Sequence, residues 1–91
     1  QIGAIAKIQL KVLAERLATS PSPEDLHLYG LRAAAAGQFE AGLDALIRLL
    51  RDYPDYRDGA AKAALLKVFD CLPKGDPLAS RYRRQMFNAL H

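Results

Sequence analysis

The sequence predicts an all-α domain of about five helices, and three observations support this fold class. Alanine and leucine are very frequent, with 16 and 15 residues, whereas Ile, Val and Thr together number seven. This composition favours helix over strand. Apolar residues recur at helical spacing along the chain, and proline- or glycine-containing breaks divide it into segments of helix length. The 91 residues suit one small domain with one core.

The first predicted helix, over residues 2–19, has an unusually wide apolar surface. Its apolar residues cover more than half of a helical wheel, so the helix needs neighbours on two sides. We therefore expect it to mediate a homodimer or to pack against a further helix upstream. The chain opens inside this helix without a methionine, which leads us to expect a fragment of a longer protein. The apolar positions are Ile2, Ile5, Ile8, Leu10, Val12, Leu13 and Leu17.

The second and third helices are predicted at 23–36 and 39–52, as a hairpin that turns at Gly37. Ser22 is a favourable N-cap, and Pro23 suits the first position of the second helix. The third helix has apolar residues on one side and charged residues on the other. Its predicted apolar side consists of Phe39, Leu43, Leu46, Ile47 and Leu50.

The fourth and fifth helices are predicted at 56–72 and 77–90. Asp55 can cap the fourth helix, and Asp76 followed by Pro77 is a favourable start for the fifth. Because all connections are short, consecutive helices are expected to pack as antiparallel hairpins. The predicted buried residues are Ala61, Leu65, Val68, Phe69 and Leu72 in the fourth helix, and Leu78, Tyr82, Met86, Ala89 and Leu90 in the fifth.

The hairpin at 23–54 resembles the tetratricopeptide repeat, a pair of helices with small residues where they cross. Gly30 and Gly42 stand at these small positions. A glycine inside a helix costs about 0.8–1 kcal/mol relative to alanine, a cost that is tolerated where two backbones come close. The resemblance implies a right-handed superhelix of helical hairpins, and the alternative is a hairpin with incidental glycines. The other aligned positions are Leu26, Tyr29, Ala33, Phe39, Leu46, Leu49 and Pro54. Two of them depart from the pattern, because Leu49 stands where a small residue is commoner and Ala33 where an aromatic residue is.

A closer resemblance rests on the segments 37–46, 56–69, 76–78 and 82–84. Within them, the run Arg57-Asp58-Gly59-Ala60-Ala61 is the most specific. Residues 22–88 are similar to the C-terminal region of bacterial thioredoxin-like co-chaperones, the chaperedoxins. This resemblance implies an upstream thioredoxin-fold domain in the same chain. It also implies a domain that holds unfolded or oxidised client proteins and passes them to chaperones, the chaperonin in particular.

We expect a protein-binding groove on the second helix. In tetratricopeptide arrays, the positions of His27, Leu31, Ala34 and Ala35 line the concave surface. A surface of alanine and leucine suits an apolar or extended client segment. Arrays that clamp C-terminal carboxylates carry Lys and Asn where His27 and Leu31 stand, so such ligands are not expected. The alternative is that the alanines are only good helix formers packed against the first helix.

The fifth helix offers a second candidate surface. Its apolar residues exceed what one packing seam requires, and arginines line another side. A terminal amphipathic helix of this kind can dock into a partner's groove. The alternative is a basic surface that only contacts solvent. The predicted docking residues are Arg81, Arg84, Met86, Phe87 and Leu90.

Nothing in the sequence supports an enzyme, a cofactor or a metal site. Cys71 is the only cysteine, and the two histidines, His27 and His91, are far apart in sequence. This set allows no internal disulfide, and it is poorly suited to a metal site or to a Cys–His nucleophile. We expect Cys71 to be a small, buried apolar residue at a helix end, in a reducing compartment such as the cytoplasm. The alternative is an exposed, reactive thiol near Lys67 and Lys74.

The charge pattern weakens two further classes of function. The net charge is only +3 and the middle of the chain is acidic, so nucleic acid is not an expected partner. Charged residues interrupt the most apolar stretch, so no membrane span is expected. The remaining alternative to a co-chaperone is a generic adaptor domain that binds one defined protein partner.

Overall fold

A computed structural model describes residues 2–20 and 22–90, with side chains described from Leu10 onward. It contains five α-helices and, before the fourth, a short 3₁₀ turn at Tyr56–Asp58. The described residues include no strand, which confirms the predicted all-α class. The predicted apolar positions Ile2, Ile5 and Ile8 lie outside the described side chains. The helices are α1 (Ile2–Thr19), α2 (Pro23–Ala35), α3 (Phe39–Asp52), α4 (Ala60–Cys71) and α5 (Pro77–Leu90).

Two of the predicted helix starts are confirmed by their caps. The hydroxyl of Ser22 accepts a hydrogen bond of 3.2 Å from the backbone N–H of Asp25 at the start of α2. The carboxylate of Asp76 accepts one of 2.9 Å from the backbone N–H of Leu78 at the start of α5. These bonds satisfy amides that have no partner within the helix, and they fix where the two helices begin.

The third helix organises the fold. It packs against α2, α4 and α5. By contrast, the backbones of α4 and α5 make little close contact with each other. The other side of α2 packs against α1. Gly30 in α2 and Gly42 in α3 are both buried where these helices cross, as the repeat pattern predicts. The largest fully buried side chains are Leu26, Leu43, Leu46, Leu49, Leu65 and Tyr82.

The predicted start of the fourth helix is wrong. The chain forms the 3₁₀ turn at Tyr56–Asp58, and α4 begins only at Ala60. The interruption arises because Arg57 and Asp58 adopt left-handed backbone conformations, with φ of 44° and 52°. Asp55 precedes the turn, but its side chain makes no capping hydrogen bond. The apolar side predicted for this helix is nevertheless correct, because Ala61, Leu65, Val68, Phe69 and Leu72 are all buried.

Candidate protein-binding site

One side of α2 remains open after the helix has packed against its neighbours. The leucine at position 28 is 39% exposed, Leu31 is partly buried and Ala35 is exposed. Their spacing of three and four residues aligns them along one side of the helix. We call Leu28, Leu31 and Ala35 the α2 stripe.

Two of the predicted groove residues, Leu31 and Ala35, belong to the α2 stripe. The other two, His27 and Ala34, lie beside it. Ala35 is exposed, whereas His27, Leu31 and Ala34 are partly buried. Leu31 and Ala34 also pack against the core. Leu28 is missing from the predicted set, because the repeat pattern does not place this position on the concave surface. Its helical spacing from Leu31 was the signal that could have identified it.

His27 lies beside the α2 stripe, one helical turn before Leu31. Its ring lies edge-on to Tyr56, with 5.6 Å between the ring centroids and 73° between the ring planes. The guanidinium of Arg57 lies over the same tyrosine, 5.4 Å from the ring centroid. Burial, and to a lesser extent the positive charge of Arg57, lowers the pKa of His27 below its usual value. The imidazole is therefore neutral at neutral pH and connects α2 to the 3₁₀ turn.

The second candidate surface lies on the outer side of α5. Phe87 is 58% exposed and Leu90 is 42% exposed, and Arg84 is also exposed. We call Arg84, Phe87 and Leu90 the α5 patch. The prediction that Leu90 is buried is therefore wrong.

Met86 does not belong to this patch, which corrects its assignment as a docking residue. Only 4% of Met86 is exposed, and it lies in the hydrophobic core. It follows Tyr82 by one helical turn and therefore shares the buried side of α5 with that residue. Phe87 is rotated by a further 100° and reaches solvent.

Arg81, another predicted docking residue, is engaged within the domain. Its guanidinium lies 3.5 Å from the carboxylate of Glu40 and donates a hydrogen bond of 3.3 Å to the hydroxyl of Tyr82. That hydroxyl donates a hydrogen bond of 2.5 Å to Asp44. Burial, together with the hydrogen bond to Asp44, raises the pKa of Tyr82 to about 12. Arg81 thus helps to attach α5 to α3.

A comparison with known protein families identifies the family of this chain. The tetratricopeptide repeat model matches residues 4–91, which is nearly the whole chain. The chain belongs to the tetratricopeptide repeat family. No curated protein and no solved structure matches the chain significantly. Tetratricopeptide repeats are typically non-catalytic modules that bind other proteins, so family membership indicates protein–protein interaction as the general function.

The remaining chemistry of this tetratricopeptide repeat domain is sparse. Cys71 is exposed at the end of α4, so the expectation of a small apolar residue packed at a helix end is wrong. Among residues 2–20 and 22–90, no group of three or more His, Cys, Asp or Glu side chains could hold a metal ion. Within the same ranges, each helix is too short or too polar to cross a lipid bilayer.

Proposed function

We propose that this domain holds unfolded or oxidised proteins and docks to chaperones, as the tetratricopeptide part of a thioredoxin-fused co-chaperone in the cytoplasm. It acts by binding and not by catalysis. Membership of the tetratricopeptide repeat family supports the binding role. The resemblance of residues 22–88 to chaperedoxins supports the co-chaperone role. The observation that carries the proposal is the exposed apolar α2 stripe.

The chemistry of the α2 stripe suits many different clients. Leu28, Leu31 and Ala35 offer apolar side chains without hydrogen-bonding groups. Binding by burial of apolar surface is non-directional and places little demand on the sequence of the ligand. A single stripe of this size supports weak binding, which suits a domain that holds a client briefly and then releases it.

The α5 patch is the surface that we assign to chaperones. Phe87 and Leu90 supply exposed apolar area, and Arg84 lies one helical turn before Phe87. Arginine and aromatic residues such as phenylalanine are enriched at protein interfaces. Because Met86 is buried in the core and the exposed Arg81 is paired with Glu40, the patch is smaller than the sequence alone predicts.

Aggregation of a chemically denatured model protein, followed by light scattering, tests client holding. The wild-type domain is expected to slow aggregation, and a Leu28→Ser/Ala35→Glu variant is expected to lose most of this effect. Val12→Ser is a matched control, because Val12 is also exposed but lies on α1. Equal protection by all three proteins would contradict a role for the α2 stripe.

A pull-down with purified chaperonin tests the docking role. The wild-type domain is expected to retain the chaperonin, and a Phe87→Ser/Leu90→Ser variant is expected to lose it. Failure of the wild-type domain to retain chaperonin would contradict the co-chaperone proposal. Capture of one defined partner in its place would favour the adaptor alternative.

A further inference from the structure

An open pocket lies where the end of α3 meets the start of α2. Its volume is about 320 Å³, near the lower end of the roughly 300–1,000 Å³ that small-ligand pockets occupy. A pocket of this size suits one side chain and is too small for a helix. Its lining consists of Pro23, Asp52, Tyr53, Pro54, Asp55 and Tyr56, which we call the tyrosine pocket.

The sequence builds this pocket through a tight turn at residues 53–56. The backbone N–H of Tyr56 donates a hydrogen bond of 3.1 Å to the carbonyl oxygen of Tyr53. Asp55 has a φ of −91° and a ψ of 0°, as in the third residue of a type I turn, and proline is favoured at the second position. The turn keeps the two tyrosines close together, and both rings also pack against the core. The walls of the pocket are therefore fixed before a ligand binds.

The tyrosine rings offer the pocket a surface that attracts cations. Elsewhere on Tyr56, the guanidinium of Arg57 already lies over the ring, 5.4 Å from its centroid. Neither Arg57 nor His27, the other neighbour of this ring, lines the pocket. The part of Tyr56 that borders the pocket is therefore separate from these two contacts. Together with Tyr53, it provides an electron-rich apolar surface for a further cation.

The carboxylates of the pocket favour the same kind of ligand. Its lining includes two aspartates, and among the described residues it includes no lysine or arginine. Asp52 is already engaged, because Arg48 lies 3.7 Å and Arg51 lies 3.4 Å from its carboxylate. Asp55 is exposed, and within the described part of the chain its side chain has no ion pair or hydrogen bond. Asp55 is thus the carboxylate that is available to a ligand.

The helix ends at the pocket are consistent with this preference. The last carbonyl groups of α3 have no partner within the helix and carry a partial negative charge. Pro54 lacks an N–H group and cannot donate to the carbonyl oxygen of Leu50. The start of α2 has the opposite partial charge, but Glu24 and Asp25 stand in its first turn and offset it.

We propose that the tyrosine pocket binds an arginine side chain from an extended segment of a partner protein. A planar guanidinium stacks on tyrosine rings and donates paired hydrogen bonds to a carboxylate, whereas an ammonium group is a compact point charge. The guanidinium donates to Asp55, and the aliphatic stem of the arginine packs along Pro23 and Tyr53. The inference does not rest on the roles proposed for the α2 stripe and the α5 patch, because neither surface shares a residue with the pocket.

An NMR titration of the domain with a synthetic probe tests this inference. The probe is a flexible peptide of about seven residues with blocked ends, made of glycine and serine around one central arginine. It is expected to shift the amide signals of residues 52–56 and to bind with a Kd in about the millimolar range. A peptide with citrulline, the neutral isostere of arginine, is expected to bind about fivefold more weakly. A lysine peptide is expected to bind about threefold more weakly.

Two variants and a matched control locate the binding site. Asp55→Asn and Tyr53→Leu are each expected to weaken binding of the arginine peptide about threefold. Asp58→Asn is the control, because Asp58 is exposed in the same loop but does not line the pocket. Asparagine also tolerates the left-handed backbone at that position. The control variant is expected to bind like the wild type.

Three outcomes would overturn the inference. One is equal affinity of the wild-type domain for the arginine and citrulline peptides. Another is equal weakening by Asp55→Asn and Asp58→Asn, because the aspartates then act only through the net charge. The third is a set of shifted signals that excludes residues 52–56. If Tyr53→Leu does not fold, Asp55→Asn still decides, because it changes only an exposed side chain.

This inference and the proposed function can fail separately. Arginine-peptide binding without protection of the denatured model protein would support the tyrosine pocket and contradict client holding by the α2 stripe. Protection without peptide binding would leave client holding intact and contradict the pocket. Asp55→Asn is expected to protect the denatured protein as well as the wild type does.

Discussion

A Cβ atom built on Gly42 would lie 2.6 Å from the carbonyl oxygen of Gly30, and 3.1 Å from the backbone nitrogen of Ala34. Since these atoms belong to the backbone, the clash can be relieved only if α2 and α3 move apart. Gly42→Ala should therefore destabilise the domain by about 2 kcal/mol, because over-packing outweighs the roughly 1 kcal/mol gained in helix propensity. Urea unfolding measures this difference. An equally stable variant would show that the helices do not approach this closely.

Gly30 should behave differently, because its closest neighbours are side-chain atoms. A Cβ there would lie 2.5 Å from Cγ and 2.7 Å from Cδ2 of Leu46. We expect Gly30→Ala to destabilise the domain by about 1–3 kcal/mol. Combined with Leu46→Ala, it should cost about 1 kcal/mol less than the sum of the two single variants. Additive effects in this double-mutant cycle would contradict the contact.

Tyr82 should make the domain sensitive to alkaline pH. Its pKa is about 12 in the folded domain, compared with about 10 in an unfolded chain. The unfolded state therefore loses the proton first, and stability falls as the pH rises from about 10 through 12. Tyr82→Phe should reduce this alkaline loss, and at neutral pH should cost about 1 kcal/mol for the lost hydrogen bond to Asp44.

Chemical unfolding at pH 8 and above pH 10 measures both effects of Tyr82→Phe. Asp44→Asn provides a second test, because the carboxylate of Asp44 helps to raise the pKa of Tyr82. This variant should also lose less stability at high pH than the wild type. If Tyr82→Phe shows the alkaline loss of the wild type, the loss has another source.

His27 should make the domain less stable at acidic pH. Burial and the charge of Arg57 lower the pKa of its imidazole, whereas the unfolded chain returns it to about 6.5. As the pH falls below about 6.5, the unfolded state takes up the proton first, and the domain loses stability until the lowered pKa is passed. His27→Gln should remove this part of the loss between pH 7.5 and 5.5.

The free energy of unfolding of the wild type and of His27→Gln, measured at pH 7.5 and at pH 5.5, tests this prediction. Arg57→Gln should reduce the acid loss in part, since Arg57 is the second cause of the lowered pKa. An acid loss in His27→Gln as large as in the wild type would contradict this origin.

The turn before α4 should tolerate only certain residues at position 59. Gly59 has a φ of 87°, which β-branched residues adopt only under strain. Gly59→Val should lower the free energy of unfolding by about 1–2 kcal/mol, whereas Gly59→Asn should cost less. Thermal unfolding can resolve this difference, because about 1 kcal/mol shifts the Tm of a domain of this size by roughly 4–8 °C. Equal melting of the two variants would contradict the strained conformation.

Local signals explain what the sequence predicts well. Ser22, Asp76 and the prolines that follow them are short-range features, and the starts of α2 and α5 follow from them. The apolar sides of α3 and α4 follow from helical spacing. The approach of α2 to α3 was also predictable, because glycines inside two helices indicate a crossing.

Features that depend on distant residues could not be predicted in this way. Tyr82 and Asp44 are 38 positions apart, and no local pattern pairs them. The left-handed conformations of Arg57 and Asp58 break a helix that their residue types would otherwise allow. The placement of Met86 inside and Phe87 outside depends on how α5 is rotated about its own axis against α3.

The attachment of both α4 and α5 to α3, with little close contact between the two, has a consequence for local unfolding. Opening of α5 exposes mainly its contacts with α3 and leaves the α2–α3 pair assembled. Amide protons of α5 should therefore exchange with solvent deuterium through a partial opening, at a lower free energy than those of α3. We therefore expect α5 to detach and dock again while the rest of the domain remains folded.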